Sequence, residues 1–351
     1  MKFGVFVPNT NNGFIISEAA PQYKPSFDLS LEIVEKAERN GLEFALSLVK
    51  LRGYGGRTEM WDYALESLTL TAALAARTER IKLFGSVGVL TLHPAIAARM
   101  AATIQDVAQG RFGLNIVSGW NRSEYAQAGL WPGDQWYGER YDYSSEYVQV
   151  LKELWTDGVS DFKGKYFQLE DCRLEPRPKH HVEVVCAGSS DRGVDFTAEY
   201  GDYNFIMAGG GVEGMTAANQ KLLAAGEKAG REVRSIASII VILGDTDEEA
   251  ERKVQSYFDG ADLEALKYVS GQAELDVAGA TAQKINQLRG GTFMATEVIA
   301  GSPDTVAEKL DAYNEVEGLE GMMLCFDDYR VEIDRFGQEV LPKLGAASTA
   351  V

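Results

Sequence analysis

Short apolar runs suited to buried strands alternate along the chain with stretches whose apolar residues recur at helical spacing. The run at 2–7 stops at Pro8 and the polar turn Asn9-Thr10-Asn11-Asn12-Gly13, which predicts a first strand. From Asp28 onward, Leu29, Ile33 and Ala37 share one helical face, with Glu32, Glu35, Lys36 and Arg39 elsewhere and Gly41 in the closing position. Further strands are expected at 43–48, 81–87, 111–117, 182–187, 203–207, 236–243 and 321–326. Helices are expected over 65–77, 94–108, 140–155 and 188–200, with one more ending near Gly230. Thr246 and Glu249 form a capping box for another, Ser302-Pro303 opens one that runs to 316, and the last covers 333–344. Residues 260–300 lack a clean period and read as an insertion or mobile excursion near the seventh strand. Strand and helix alternating about eight times describe an α/β fold, a (β/α)₈ TIM barrel, as one domain over 1–351.

Composition narrows the partners more than the fold. The 351 residues carry 52 acidic against 34 basic side chains, a formal net charge of -18. Such a surface repels phosphodiester backbones and anionic lipids, which disfavours nucleic-acid and membrane-surface roles and leaves small ligands open. The chain goes straight into a strand without the apolar core of a signal peptide, and no apolar run approaches the roughly 18 residues of a spanning helix. Cys172, Cys186 and Cys325 stand at unrelated spacings and read as reduced thiols of a cytoplasmic protein.

The most informative stretch is RFGLNIVSGWNRSEY at 111–125. Its strand run is interrupted by Asn115 near the end, where a parallel α/β protein binds ligands, and Trp120 and Glu124 follow in the exit. An ordinary strand exit, with Asn115 holding a local turn and Trp120 in the core, is the competing interpretation. Ser190, after Cys186-Ala187-Gly188-Ser189, offers free N–H groups and a hydroxyl for a phosphate, or simply a helix cap. Arg140-Tyr141 presents a cation and a hydroxyl suited to an anion, with a surface pair as the default. Gly209, Gly211 and Gly214 match a dinucleotide fingerprint but follow the sixth strand, so a loop at the barrel mouth is the better account. His93 reads as either catalytic or part of a helix start, Asp327-Asp328 as a base, a cation site or a cap, and His180-His181 as adjacent rings that point apart. No metal site is expected.

Longer matches carry a resemblance that single motifs do not. FGVFVP, APQYKPSF, FALSLVKLRGYGG, LTLHPAIAARMAATI, GRFGLNIVSGWNRSEY, WPGD, RYDYSSEYVQVLKELW, VVCAGSSDRG and GSPDTVAEKL are spread over most of the chain. In this order they resemble the bacterial luciferase-like superfamily of flavin-dependent monooxygenases, and within it the enzymes that oxidise pyrimidines. The resemblance implies reduced FMN and O₂ as co-reactants, with a separate reductase drawing on NADH and a planar heterocycle as substrate. It further implies flavin N5-peroxide and N5-oxide chemistry that opens uracil or thymine to a ureidoacrylate, and self-association, which is common in the family. Carried over by position, Val49, Lys50, Asn115, Glu124, Arg140, Tyr141 and Ser190 would hold the cofactor, Ser190 at its phosphate. Asn115 and Ser86 would place oxygen, and Trp120 would stack on the substrate. The family has Thr where Ser86 stands, so the hydroxyl is kept and a methyl is lost. Asn9-Thr10, 208–211 and 260–300 depart from the pyrimidine enzymes, which keeps other heterocycles and halogenated aromatics open as substrates. A deazaflavin-dependent oxidoreductase and a non-catalytic flavin binder are the remaining alternatives.

Overall fold

The computed structural model describes residues 1–207, 209–276, 292–293 and 296–345. Its strands are β1 (Lys2–Phe6), β2 (Phe44–Leu46), β3 (Lys82–Gly88), β4 (Phe112–Val117), the short pair β5 (Val159–Ser160) and β6 (Cys172–Arg173), β7 (Glu183–Ala187), β8 (Tyr203–Met207), β9 (Arg234–Leu243), β10 (Glu297–Gly301) and β11 (Leu319–Phe326). Eight of them close a parallel barrel in the order β1-β2-β3-β4-β7-β8-β9-β11, with β11 returning to β1. The expected (β/α)₈ barrel is therefore the observed fold, and buried residues such as Val5, Leu83, Leu114, Val184, Ile240 and Leu324 join its continuous core.

The helices are α1 (Phe27–Arg39), α2 (Ser67–Ala75), α3 (Pro94–Val107), α4 (Arg122–Ala126), α5 (Trp136–Asp157), α6 (Asp191–Tyr200), α7 (Gly211–Ala229), α8 (Asp247–Asp259), α9 (Leu263–Glu274), α10 (Pro303–Asp311) and α11 (Tyr329–Arg335). Local chemistry explains most boundaries. Ser26 caps α1 by accepting from Leu29 N, and Leu29, Ile33, Val34 and Ala37 form its buried face. Only half of the expected capping box forms at α8. Thr246 accepts from Glu249 N, but the Glu249 carboxylate takes Asp245 N at 2.9 Å, one residue early. α5 begins a turn sooner than its period suggested, because Trp136 is buried with its Nε1 donating to Gly119 O at 2.9 Å. The last helix is not continuous: α11 passes into a π turn at Phe336–Val340 and a 3₁₀ turn at Leu341–Lys343. Pro342, which cannot donate to a helical ladder, lies in that final turn.

The segment 260–300 falls between the last two barrel strands, and its described parts are regular. They include α9 and also β10, which pairs with the second half of β9 from Glu297↔Ile239 to Gly301↔Leu243. β8 occupies only the first half of β9, up to Met207↔Ser238, so the ten residues of β9 serve two neighbours in succession. Of the segment 260–300, for which an insertion or mobile excursion was expected, residues 277–291 and 294–295 lie outside the described residues, as does residue 208. Among the described residues no helix is long and apolar enough to cross a membrane.

Candidate active site

Parallel register places Ser86 of β3 beside Asn115 of β4, both near the carboxyl ends of their strands. Asn115 Nδ2 donates to Ser86 Oγ at 2.8 Å, and the Ser86 hydroxyl donates to Ser47 O at 2.6 Å. The single Ser86 proton is thereby used, so its oxygen must accept from Asn115, and this fixes which way the Asn115 amide faces. Behind this pair, Ser67 Oγ accepts from Ser86 N at 2.8 Å and lies 2.5 Å from Ser47 Oγ, which in turn lies 3.0 Å from Thr71 Oγ1. Every one of these groups is buried. At the end of the relay Asn115 Oδ1 is buried and has no partner. An acceptor left bare in this way costs about 1–3 kcal/mol, so it is a position made for a donor.

On the same rim, Lys50 and Glu124 meet at 3.0 Å with side chains only 5% and 9% exposed. The other Glu124 oxygen accepts from Leu51 N at 2.8 Å, which anchors the loop after β2 to the exit of β4. The Lys50 ammonium also stands over the Tyr54 ring at 4.3 Å and the Trp61 ring at 5.4 Å. Burial works against its charge, but Tyr54 and Glu124 outweigh burial and hold its pKa above the ordinary lysine value. Val49 lies in the same loop, partly buried. Asn9 supports this loop from behind: its Nδ2 donates to Leu48 O and Leu65 O, and its Oδ1 accepts from Leu48 N. Both ends of the Asn9 amide are thus used on backbone.

A second cluster forms where β7 hands over to α6. Ser190 caps that helix, accepting from Gly193 N at 3.2 Å, and its own proton is left to donate outward. A Cβ on Gly193 would lie 2.7 Å from the Tyr141 hydroxyl, and one on Gly188 would lie 2.9 Å from it. The two glycines and Tyr141 therefore form a cradle that any side chain would fill, at a helix start that favours an anion. Arg140, the neighbour of Tyr141 on α5, is paired through Nη1 with Asp276 Oδ2 at 2.9 Å. Asp276 follows α9, and the same helix reaches the β4 exit through the Tyr268 hydroxyl and Gln272 Oε1, which meet Ser123 Oγ and Ser123 N at 2.5 and 3.2 Å. Trp120 stands half-buried in that exit, after Gly119 in the left-handed region at φ 73°.

The structure thus gathers Ser86 with Asn115, Lys50 with Glu124, and Tyr141 with Ser190. Ser47, Ser67, Tyr54 and the α9 residues were not foreseen, and isolated hydroxyls at strand and helix ends carry no sequence signal for a site. Other candidates are accounted for locally. His93 caps α3 through Nδ1, and Asp328 caps α11. Asp327 accepts from the Tyr257 hydroxyl at 2.7 Å, and His181 pairs with Asp202 at 3.0 Å. The glycine-rich start of α7 already holds a carboxylate, since Gly211 N donates to Glu297 Oε2 at 3.0 Å.

Comparison with known proteins identifies the family and the fold. A family profile described as luciferase-like monooxygenase matches residues 1–318. Pyrimidine monooxygenase RutA of Bradyrhizobium sp. strain BTAi1 is 53% identical over 97% of this chain and 96% of its own length. Its counterpart in Variovorax paradoxus strain S110 is 49% identical over 97% and 94%. Among solved structures, riboflavin lyase (RcaE) with modified FMN and riboflavin superposes with a TM-score of 0.85 over 100% of this chain and 92% of its own, at 20% identity, a likeness of fold alone. The chain belongs to the luciferase-like monooxygenase family.

Proposed function

We propose that this enzyme opens the ring of uracil or thymine to a ureidoacrylate, with O₂ and with FMN reduced by a separate, NADH-using reductase. The observation that carries the reading is the buried, unpartnered Asn115 Oδ1 at the end of a fixed polar relay. The residues present fit FMN. The Gly188, Ser190, Gly193 and Tyr141 cradle suits its phosphate, and Asn115 Oδ1 suits an N–H of the reduced ring or of a substrate amide. Bound reduced FMN would supply the electrons for oxygen activation. The 53% identity to a pyrimidine monooxygenase supports a pyrimidine substrate.

The chain's own contribution is placement. Asn115 Nδ2 has one proton on Ser86 and a second free to meet oxygen, while Ser86 has none to spare and acts through Asn115. Trp120 offers a flat face to a planar ring, and the buried Lys50–Glu124 pair ties two loops of the site together. Holding the reactants in line and excluding water is the main physical means of directing such chemistry.

The test combines purified protein with uracil, FMN, a flavin reductase, NADH and O₂, followed by mass spectrometry. A ring-opened, oxygenated product is expected. Intact uracil with NADH draining into H₂O₂ would reject the pyrimidine assignment.

A further inference from the structure

Three buried donors without partners fall in the first turns of α5 and the stretch just before it. The Tyr137 hydroxyl is one, Trp131 Nε1 is the second, and Arg140 Nε is the third. The Trp131 and Tyr137 rings pack 5.2 Å apart. Tyr137 and Arg140 are three residues apart on α5 and so share a helical face, while Trp136, just before Tyr137, turns into the core and fixes the rotation of that face. Indole and guanidinium groups only donate, and a phenol can do so. A single bare donor is tolerable, but three in one corner are a concentrated deficit that an acceptor-rich ligand would remove. Arg140 already has Asp276 at Nη1, so what this corner offers is directed N–H and O–H groups more than net charge.

We propose that Tyr137, Trp131 and the Nε edge of Arg140 form a donor wall that takes phosphate oxygens of FMN, completing the cradle at Gly188, Ser190 and Gly193. Continuity supports the phosphate as the occupant. Tyr141, one turn beyond Tyr137 on α5, carries the hydroxyl that stands over both cradle glycines. Phosphate is the part of the cofactor that has acceptor oxygens and no donors of its own at neutral pH. The inference rests on the flavin reading above, but it is tested by binding and not by turnover.

The experiment compares FMN with riboflavin, which lacks the phosphate, by quenching of flavin fluorescence with wild type, Tyr137→Phe and Trp131→Phe. Tyr137→Phe keeps the ring and removes only the hydroxyl, while Trp131→Phe keeps an aromatic ring but removes the indole donor together with part of the ring. Each is expected to weaken FMN about tenfold or more while leaving riboflavin within about twofold, as for loss of a hydrogen bond to a charged group. Thermal unfolding supplies a second readout. In Tyr137→Phe, removing an unmet donor should leave the flavin-free protein as stable or more so, while the rise in Tm on adding FMN shrinks in both variants. Parallel weakening of FMN and riboflavin would show that the wall faces the ring or a substrate instead and overturn the proposal, as would no change in either variant. If Tyr137→Phe does not fold, Trp131→Phe decides. Wild-type FMN binding with the expected variant pattern but no pyrimidine oxidation would reject the substrate reading and leave this one standing.

Discussion

At the scale of single residues, the relay from Ser47 to Asn115 sets different roles for two neighbours, Ser86 and Asn115, that the register of β3 and β4 places side by side. Asn115 presents an amide to the site, whereas Ser86 is a strut whose proton is committed to Ser47 O. Ser86→Ala would strip the acceptor from Asn115 Nδ2 and let the amide rotate. Ser86→Thr keeps the hydroxyl and adds a methyl. Asn115→Ala is expected to lower kcat/KM by about a hundredfold or more, the usual scale for a lost site donor. Ser86→Ala should lose about tenfold or more, consistent with about 1–3 kcal/mol for an unmet buried group. Ser86→Thr should stay close to wild type. Steady-state oxygen uptake with an added flavin reductase measures all three, and equal loss in the Thr and Ala variants would remove the strut role. Asn115 was legible in sequence because it breaks an apolar strand run. Ser47 and Ser67 were not, because their roles depend on which backbone groups the barrel brings opposite them.

At the scale of elements, α9 shows how a helix can escape notice. Its buried face is Ala265, Val269 and Ala273, a spacing proper to a helix but made of small residues and interrupted visually by Ser270-Gly271. What fixes α9 is its start. Asp262 accepts from Glu264 N and Ala265 N, and its other oxygen accepts from Thr58 N at 2.7 Å and Thr58 Oγ1 at 2.8 Å. Burial opposes the Asp262 charge, but these donors outweigh it and hold its pKa below the ordinary carboxylate value. Asp262→Asn turns an N–H group toward donors and is expected to cost about 1–3 kcal/mol at pH 7, seen as lower Cm in urea and faster hydrogen exchange over Leu263–Glu274. Because the carboxylate is favoured by folding, its contribution is present above the unfolded pKa and is lost as pH falls through the folded one. The gap between wild type and variant should therefore close in acid. A gap that is constant with pH would mean that the charge is irrelevant to the tie.

At the scale of the whole molecule, long-range pairs decide how the ring of helices closes, and no sequence period encodes them. Arg140–Asp276 joins residues 136 apart, and the seam between α8, α11 and the ends of β9 and β11 is of the same kind. There Lys253 donates to Leu243 O at 2.7 Å and lies 3.4 Å from Glu332 and 3.8 Å from Asp327, while Arg335 lies 3.7 Å from Glu332. Glu332 is buried and its Oε2 has no partner. Burial first, then the Asp327 carboxylate, push its pKa up to about 7 from 4.5, against the pull of Lys253 and Arg335. The folded state thus keeps a proton that the unfolded chain releases earlier. The stability this proton provides is full below the unfolded carboxyl value and is lost as pH rises toward about 7. Across that window the loss has a limiting slope of about 1.4 kcal/mol per pH unit. Glu332→Gln keeps the shape and cannot ionise, so its stability relative to wild type should improve from pH 5 to about pH 7 and level off above that. Urea unfolding of both proteins across that range cancels the other titrating groups, including the self-repulsion of a chain with net charge -18. A difference that is flat with pH would mean that Glu332 stays ionised throughout, and the seam would then be held by its ion pairs with Lys253 and Arg335 alone.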